Sequence, residues 1–398
     1  MVTTFYPPYH FGGDALYVKS LSEALAELGH HVEVIHCEDA FNTVNHAKRT
    51  ITSQVNNKVT VHRLKSRLGL LSAIFSQQTG KLGTKKKKIE TILSQEFDVV
   101  HFHNISLVGG PEVLHYSKAP INLYTLHEHW LVCPTHILWK NNEYACDKPE
   151  CFSCVLKSGI PPQLWRYTSL LQKALTNIDL FLSPSKFTAE QHKKLNIDDR
   201  IKILPLFSNL SPTSSRVSSI SRPLFLFVGR VTKSKGIFPL LEIMSSRSDC
   251  DLFVVGEGDC LAELKVKFSS CTHISFLGHI EQKELIELYQ NCTALILPSL
   301  APETFGLTIV EAFSCGTPAI VKNAGGCSEI VKNSGAGFVY ENNDELLIAI
   351  EQVINPKIRE QLSIKARKTY EKEYTLASHL KNYLAIIEKI QQEKEVLK

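Results

Sequence analysis

The sequence predicts an α/β protein built from two Rossmann-like, doubly wound domains that face each other across a cleft. Three observations carry this expectation. The chain has 398 residues, more than one ordinary core accommodates. Strand-like and helix-like segments alternate through both halves, the pattern of parallel sheets covered on both faces. Between the halves, NLSPTSSRVSSISRP is rich in Ser and Pro and nearly devoid of apolar periodicity, as a linker is. The expected division is a first domain over 1–208, a linker over 209–223, a second domain over 224–374 and a closing helix over about 375–398.

The elements follow in order. After a short strand at the very start, YVKSLSEALAELGH places Val18, Leu21, Leu25 and Leu28 on one helical face, with Gly29 at its end. HVEVIH alternates like a strand. KKKIETILSQE is helical, FDVVHFH and INLYTLH are strands, LWRYTSLLQKALTN reads as one helix, and IDLFLSPS is a strand. The alternation restarts with PLFLFVGR, a helix from about Gly236, DLFVVGEG, LAELKVKF, HISFLGHI, ELIELYQNC and TALILPS. The final SHLKNYLAIIEKIQQEKEVLK carries Leu380, Tyr383, Leu384, Ile387 and Ile390 on one stripe, which must bury against the body of the protein.

Composition excludes several classes. The hydrophobic share of 43% is ordinary, and no segment is long and apolar enough to span a membrane. The amino end lacks a basic start followed by an apolar stretch, so a cytoplasmic chain is expected. The net charge of +4 lies in the first half, where 22 Lys and Arg face 18 Asp and Glu against 22 and 22 in the second. That bias is too weak for a nucleic-acid partner. Eleven cysteines in such a chain argue against a disulfide framework.

The loops after the strands carry the chemistry. In TALILPSLAPETFGLTIVEAF a strand ends at Leu297, a loop runs from Pro298 to Thr304, and a helix opens near Gly306. The first amides of a helix lack internal partners and its dipole is positive there, so phosphate fits that end. Glu303 lies just ahead of it and Glu311 inside the helix. Carboxylates flanking a phosphate site accept hydrogen bonds from hydroxyls, and a nucleotide-sugar has hydroxyls on both sides of its phosphates. In FLFVGRVTKSKGI, Arg230 and Lys235 follow a strand end, a fork of donors and a mobile point charge suited to a diphosphate. Gly256-Glu257-Gly258 closes a third strand, where missing Cβ atoms admit a ligand to the backbone. Asp249-Cys250-Asp251 precedes a strand and reads as surface turn chemistry.

The combination of FVGRVTKSKG, VVGEGD and PETFGLTIVEAFSCGTPAIVKNAGGCSEIV resembles the nucleotide-sugar domain of retaining family-4 glycosyltransferases of the GT-B fold. FYPPYHFGGDALYVKSLSEALAELGHHVEVI and TLHEHW are similar to the same family's first domain. The resemblance implies a transferase that moves a hexose from a UDP- or GDP-linked donor to a sugar, polysaccharide or lipid-linked acceptor with retention, in bacterial polysaccharide or glycolipid assembly. Glu303 would bind donor-sugar hydroxyls and Glu311 the ribose. Arg230 and Lys235 would hold the diphosphate, and Gly12 and Gly13 would face it from the first domain. His127 would sit by the sugar, and the backbone of Thr304, Phe305, Gly306 and Leu307, with Gly256, would complete the cradle. The first domain would bind acceptor, the second donor, and the closing helix would pack back on the first. Transfer would need no metal cofactor, since Arg230, Lys235 and the helix end supply the positive charge.

Other features fall outside that pattern. The family's first strand begins before the segment that starts here at Met1, so this strand is short or begins upstream. LPLFSNLSP replaces the usual segment between the domains. Cys133, Cys146, Cys151 and Cys154 are separated by 12, 4 and 2 residues, which suits a structural zinc ion or an iron–sulfur cluster as well as four reduced thiols. The run Lys85 to Lys88 is a solvated helix start or a patch for anionic lipid, that is, a peripheral contact with the inner membrane face. His101 and His103, in DVVHFHN, are expected to face opposite sides of their strand and so not to act together. Two other function classes stand beside the transferase: a nucleotide-sugar-binding protein that has lost catalysis, and another nucleotide-using enzyme such as a dehydrogenase, which the lack of a complete GxGxxG disfavours.

Overall fold

The computed structural model describes residues 1–44, 56–212 and 222–396. Most of the expected linker, residues 213–221, lies outside the described residues, as do 397 and 398 of the closing helix. In the first domain, β1 (Val32–Cys37) pairs in parallel with β2 (Val59–Leu64). A second parallel set is formed by β3 (Val99–Phe102), β4 (Ile121–Thr125), β7 (Leu180–Ser183) and β8 (Ile201–Ile203), in that order. The short antiparallel hairpin of β5 (Trp139–Lys140) and β6 (Tyr144–Ala145) stands in the loop after β4. Val2 bridges Ile35 on one side and Phe102 on the other, which joins the two sets into one sheet. The first strand is thus reduced to one residue, Val2, with a bridge on either side. Beside it the Met1 ammonium donates to Glu33 O at 2.7 Å, and a cavity of about 410 Å³ opens between Met1, Val32, Val99 and Ile387.

The second domain holds one parallel sheet of β9 (Leu224–Val228), β10 (Asp251–Val255), β11 (Ile274–Gly278), β12 (Ala294–Leu297), β13 (Ala319–Lys322) and β14 (Gly337–Tyr340). Its order is β11-β10-β9-β12-β13-β14, so the winding reverses between β9 and β12. Every residue of β9 is buried, as a central strand covered on both faces requires. The crevice beyond the carboxyl ends of β9 and β12 is where ligands of such sheets bind. A cavity of about 1080 Å³ between Arg222, Cys292, Gly316, Arg359 and Arg367 lies instead by the residues that precede β9 and β12, away from that crevice.

Two helical expectations need correction. Leu28 is exposed, because the helix Gly13–Glu27 ends just before it. LWRYTSLLQKALTN is not one helix but a 3₁₀ turn, Leu164–Tyr167, followed by the helix Leu170–Leu175. The Thr168 hydroxyl explains the break: it donates to Trp165 O at 2.7 Å and accepts from Leu170 N at 3.2 Å, closing one turn and starting the next.

The helix Leu376–Val396 lies against the first domain. Its buried residues are His379, Tyr383, Ile386 and Ile390, with Leu380, Leu384 and Ile387 partly buried beside them. Tyr383 reaches His101 at 3.0 Å, and Lys394 pairs with Asp179 at 2.5 Å. Where the chain crosses back, Tyr370 donates to Ser208 O at 3.0 Å. The two crossings therefore pack on each other. The domains also meet across the cleft: Glu329, in the helix Gly326–Ser334, accepts from the amides of Lys186 and Phe187 at 2.9 and 2.5 Å. Those amides open the helix Lys186–His192, so a carboxylate of one domain caps a positive helix end of the other.

Candidate active site

The reversal point gathers the loops that the sequence singles out. Gly229 and Arg230 follow β9, and the loop after β12 carries Ser299 and Glu303 into the same crevice. Lys235, in the turn Lys233–Lys235, forms an ion pair with Glu303, and the Ser299 hydroxyl donates to the same carboxylate oxygen at 2.6 Å. Burial would raise the Glu303 carboxyl, but Lys235, Ser299 and the charge of Arg230 together hold it below the usual carboxylate range. The Arg230 side chain is exposed. A carboxylate, an ammonium and a guanidinium thus share one strand-end site, with two positive charges to one negative.

The helix Leu307–Ser314 begins from Gly306, whose φ of 118° only glycine adopts without strain. Its first amides and positive dipole end open at the crevice between the domains. Glu311 stands further in. Its carboxylate accepts from the Tyr289 hydroxyl at 2.9 Å, and burial pushes it up to about 7 although that hydrogen bond acts the other way. Gly256 also meets a packing requirement. A Cβ there would come within 1.9 Å of Gly229 O, and one at Gly258 within 2.3 Å of Val231 O, so close backbone packing of two strand-end loops already accounts for both glycines.

The first domain closes the site from the other side. A Cβ at Gly13 would meet the Leu307 side chain at 2.5 Å, so the loop of Gly12 and Gly13 lies directly on the helix start of the second domain. The Thr304 hydroxyl donates to His127 O at 2.9 Å, while Thr304 O accepts from Ser185 and Thr188 at 2.6 and 3.0 Å. Phe305 is buried against Tyr374 near the crossing. The structure therefore brings Gly13, His127, Thr304 and Leu307 together at one seam beside Glu303.

His127 follows β4. Its Nε2 meets Nδ1 of His103 at 3.0 Å, and the Tyr17 ring packs edge-on at 5.0 Å. Burial, then the nearby His379, pushes its pKa down to about 3, so the ring is neutral at physiological pH and offers a hydrogen bond rather than a charge. His101 and His103 do not face opposite sides: their rings lie 4.0 Å apart. Side chains two residues apart on an extended chain lie on the same face, so strand alternation itself brings the two rings together. Behind them, His379 Nδ1 donates to Pro205 O at 2.8 Å, which leaves Nε2 to accept from the Tyr17 hydroxyl at 2.8 Å. The sequence also missed Asp14, in the first turn of the helix Gly13–Glu27. Asn104 donates to it, and burial followed by the charge of Glu128 pushes it up to about 7.

Asp249 and Asp251 are engaged by Arg247 and Arg222, at 2.7 and 3.3 Å. Lys85 is not part of a solvated run. It is buried, and its ammonium donates to Leu107 O at 2.8 Å. Cys133 and Cys146, in the loop after β4, lie together with Cys151 and Cys154, in the helix Cys151–Lys157 that follows it.

Comparisons agree with this geometry. Residues 11–211 match the model of Glycosyltransferase Family 4, and residues 214–369 that of Glycosyl transferases group 1. An uncharacterized glycosyltransferase of Methanocaldococcus jannaschii is 26% identical over 94% of this chain and 93% of its own. A glycogen synthase of Mycobacterium tuberculosis is 24% identical over 92% and 88%. Among solved structures, sucrose-phosphate synthase from Thermosynechococcus elongatus superposes with a TM-score of 0.72 at 18% identity, covering 100% of this chain and 98% of that one. HepE of Anabaena, solved with UDP and glucose, gives 0.66 at 16% identity over 98% and 99%.

Proposed function

Since the chain belongs to Glycosyltransferase Family 4 and has the GT-B fold, it is a glycosyltransferase, and we propose that it moves a hexose from a UDP- or GDP-sugar to an acceptor hydroxyl with retention at the anomeric carbon. The observation that carries this reading is the Lys235–Glu303 pair, with Ser299, at the reversal point of the second sheet. In the donor complex Lys235 and Arg230 neutralise the diphosphate as it departs, and the amides at the start of the helix Leu307–Ser314 cradle it. Glu303 accepts hydroxyls of the sugar and Glu311 those of the ribose.

His127, neutral and held by His103, offers a ring nitrogen to the sugar from the other wall. The acceptor enters from the first domain, near Asp14. Reaction on one face of the sugar lets the departing phosphate oxygen take the acceptor's proton. The protein then contributes position and fixed charge. No metal ion is assigned to transfer.

UDP-glucose is the first donor to test, because HepE, of the same fold, is solved with it. The test is slow hydrolysis of UDP- and GDP-hexoses followed by proton NMR. Release of nucleoside diphosphate with an α-hexose from an α-linked donor is expected. A β-hexose would sink retention, and no turnover of any donor, with nucleotide still bound, would leave only a binding protein.

The acceptor proposed is a polysaccharide or a lipid-linked sugar. No helix among the described residues is long and apolar enough to cross a membrane. The first domain does expose Leu68, Leu70, Leu71, Ile74 and Phe75 around one short helix, Leu70–Thr79, with Leu164 and Tyr167 also exposed on the 3₁₀ turn that packs on it. Exposed apolar groups in this basic half suit an anionic lipid surface. Each of Leu71 and Phe75 contributes about 2 kcal/mol when buried. The double substitution Leu71→Ser, Phe75→Ser is therefore expected to cut sedimentation with phosphatidylglycerol vesicles at least about tenfold. A wild type that does not sediment with them would end the membrane reading.

A further inference from the structure

The loop between β4 and the helix Cys151–Lys157 holds a strained shape on few anchors, chiefly buried Leu138 and Trp139 and the contact of His136 with Glu128 at 2.8 Å. Four of the five non-glycine residues with positive φ among the described residues fall in seven positions of it: His136, Leu138, Asn141 and Asn142. Each such residue carries a cost of order 1 kcal/mol or more and persists only where its surroundings fix it. Yet residues 142–145 and 147–150 are exposed, and the hairpin of β5 and β6 is only two residues deep on each side. Leu138 and Trp139 anchor its inner side by burial, but the exposed residues have no apolar core of their own.

Four sulfurs are placed to tie them down. Cys133 follows the β4 end, Cys146 follows β6, and Cys151 and Cys154 stand three apart on one face of a helix. All four line a single void of about 20 Å³. The cysteines are unpaired by disulfide. Two of the sulfurs already have hydrogen-bond partners of the kind thiolates take: Asn141 N–H donates to Cys154 Sγ at 3.3 Å, and the Thr135 hydroxyl lies 3.2 Å from Cys133 Sγ, while Cys146 donates as a thiol to Lys148 O at 3.7 Å.

Two cations stand by. Lys140 is buried and lines the same void. Arg166, stacked 4.9 and 4.7 Å from the Trp130 and Trp165 rings, is near enough to feel the charges of Cys133 and Cys151. Four thiolates around a divalent ion leave a charge of −2; Arg166 offsets part of it, and Lys140, which also pairs with Glu150 at 3.2 Å, divides its charge between that carboxylate and the sulfurs.

We propose that Cys133, Cys146, Cys151 and Cys154 bind one structural zinc ion. As the atoms stand, no group of three or more His, Cys, Asp or Glu among the described residues forms a finished metal site, so the thiols must close inward on the void. Binding forms four Zn–S bonds of about 2.3 Å and releases the thiol protons. The volume chooses zinc over an iron–sulfur cluster, since the void has room for about one water-sized body. The site also has a use. Cys133 N–H donates to His129 O at 2.7 Å and His129 N–H to His136 O at 3.0 Å, so the staple fixes the strand end that carries His127 and Glu128 into the cleft.

The test uses the full chain purified without chelator. Elemental analysis is expected to find about one zinc per chain, lost at least about tenfold in the Cys151→Ser, Cys154→Ser variant. In case that variant misfolds, the wild type is titrated with a mercurial and a zinc-sensitive dye. Release of one zinc with modification of four protected thiols, and visible absorption of tetrahedral thiolate-bound cobalt after exchange, are the expected results. Three results would overturn the proposal: no zinc even after reconstitution with it, a mass four protons low from two disulfides among these cysteines, or iron with acid-labile sulfide.

Discussion

Replacing Lys235 with Ala is expected to lower kcat/KM for transfer about 100- to 1000-fold, the usual cost of removing one preorganised charge from a developing anion. Most of the loss should appear in kcat, because the charge on the departing diphosphate grows toward the transition state. The ion pair adds a second consequence. Without Lys235, Glu303 keeps the Ser299 hydroxyl and the charge of Arg230 but loses the ammonium that opposes its burial. Its pKa must therefore rise, and a protonated Glu303 accepts sugar hydroxyls less well. Residual activity of the variant should climb with pH across the neutral range, where the wild type is flat in this group. A double-mutant cycle with Glu303→Gln checks the coupling: the double variant should be little worse than the poorer single one. Additive losses, or a Lys235→Ala loss under tenfold, would remove Lys235 from the proposed role.

The placement of Glu303 and Lys235 beyond the strand ends, and of Glu311 in the helix that follows, was legible because the signal for each is local. A run such as TALILPSL must be a buried strand, the loop after it must lie at a strand's carboxyl end, and parallel α/β sheets gather those ends in one place. The order of the second sheet was not needed for that step. The wall formed by Tyr17, His103, His127 and His379 was not legible, because Tyr17 and His379 are 362 residues apart and meet only when the last helix crosses back. No spacing rule reaches that far. His103 was misread for a smaller reason: a strand has a period of two, so His101 and His103 belong on one face. Gly256 and Gly258 looked like room for a ligand, but the room belongs to neighbouring backbone, and a sequence cannot tell one occupant from the other. Lys85 looked solvated because its neighbours Lys86 to Lys88 are; only the fold shows that Leu107 O is waiting for its ammonium.

Glu311→Gln is expected to make the protein more stable and its donor complex weaker. The Glu311 carboxyl stands at about 7 in the folded protein against an ordinary value of 4.5. The sign follows from linkage. Below 4.5 the group is protonated in both states and contributes nothing. Between 4.5 and 7 the unfolded chain gives up its proton while the folded one keeps it, so stability falls as pH rises, and above 7 the full cost is present. That cost is on the order of 3 kcal/mol at most, from about 1.4 kcal/mol per pKa unit.

Gln keeps an oxygen for the Tyr289 hydroxyl and does not ionise, so the variant should melt several degrees higher at pH 8 and no higher at pH 4.5. Donor binding should move the opposite way. A ribose hydroxyl is held best by the carboxylate, so wild-type affinity for the nucleotide should increase as pH rises through about 7, and the variant should bind about tenfold more weakly at pH 8 with no such rise. Calorimetric titration of the nucleoside diphosphate at four pH values measures both. If the variant is stabilised but binds as well as the wild type at every pH, Glu311 is a strained structural carboxylate and the ribose must be held elsewhere. If it binds weakly and is also destabilised, the Tyr289 bond matters to the fold more than the cost of burying the charge. Stability given up at one helix position and recovered only when ligand binds is what a buried carboxylate kept for binding should show.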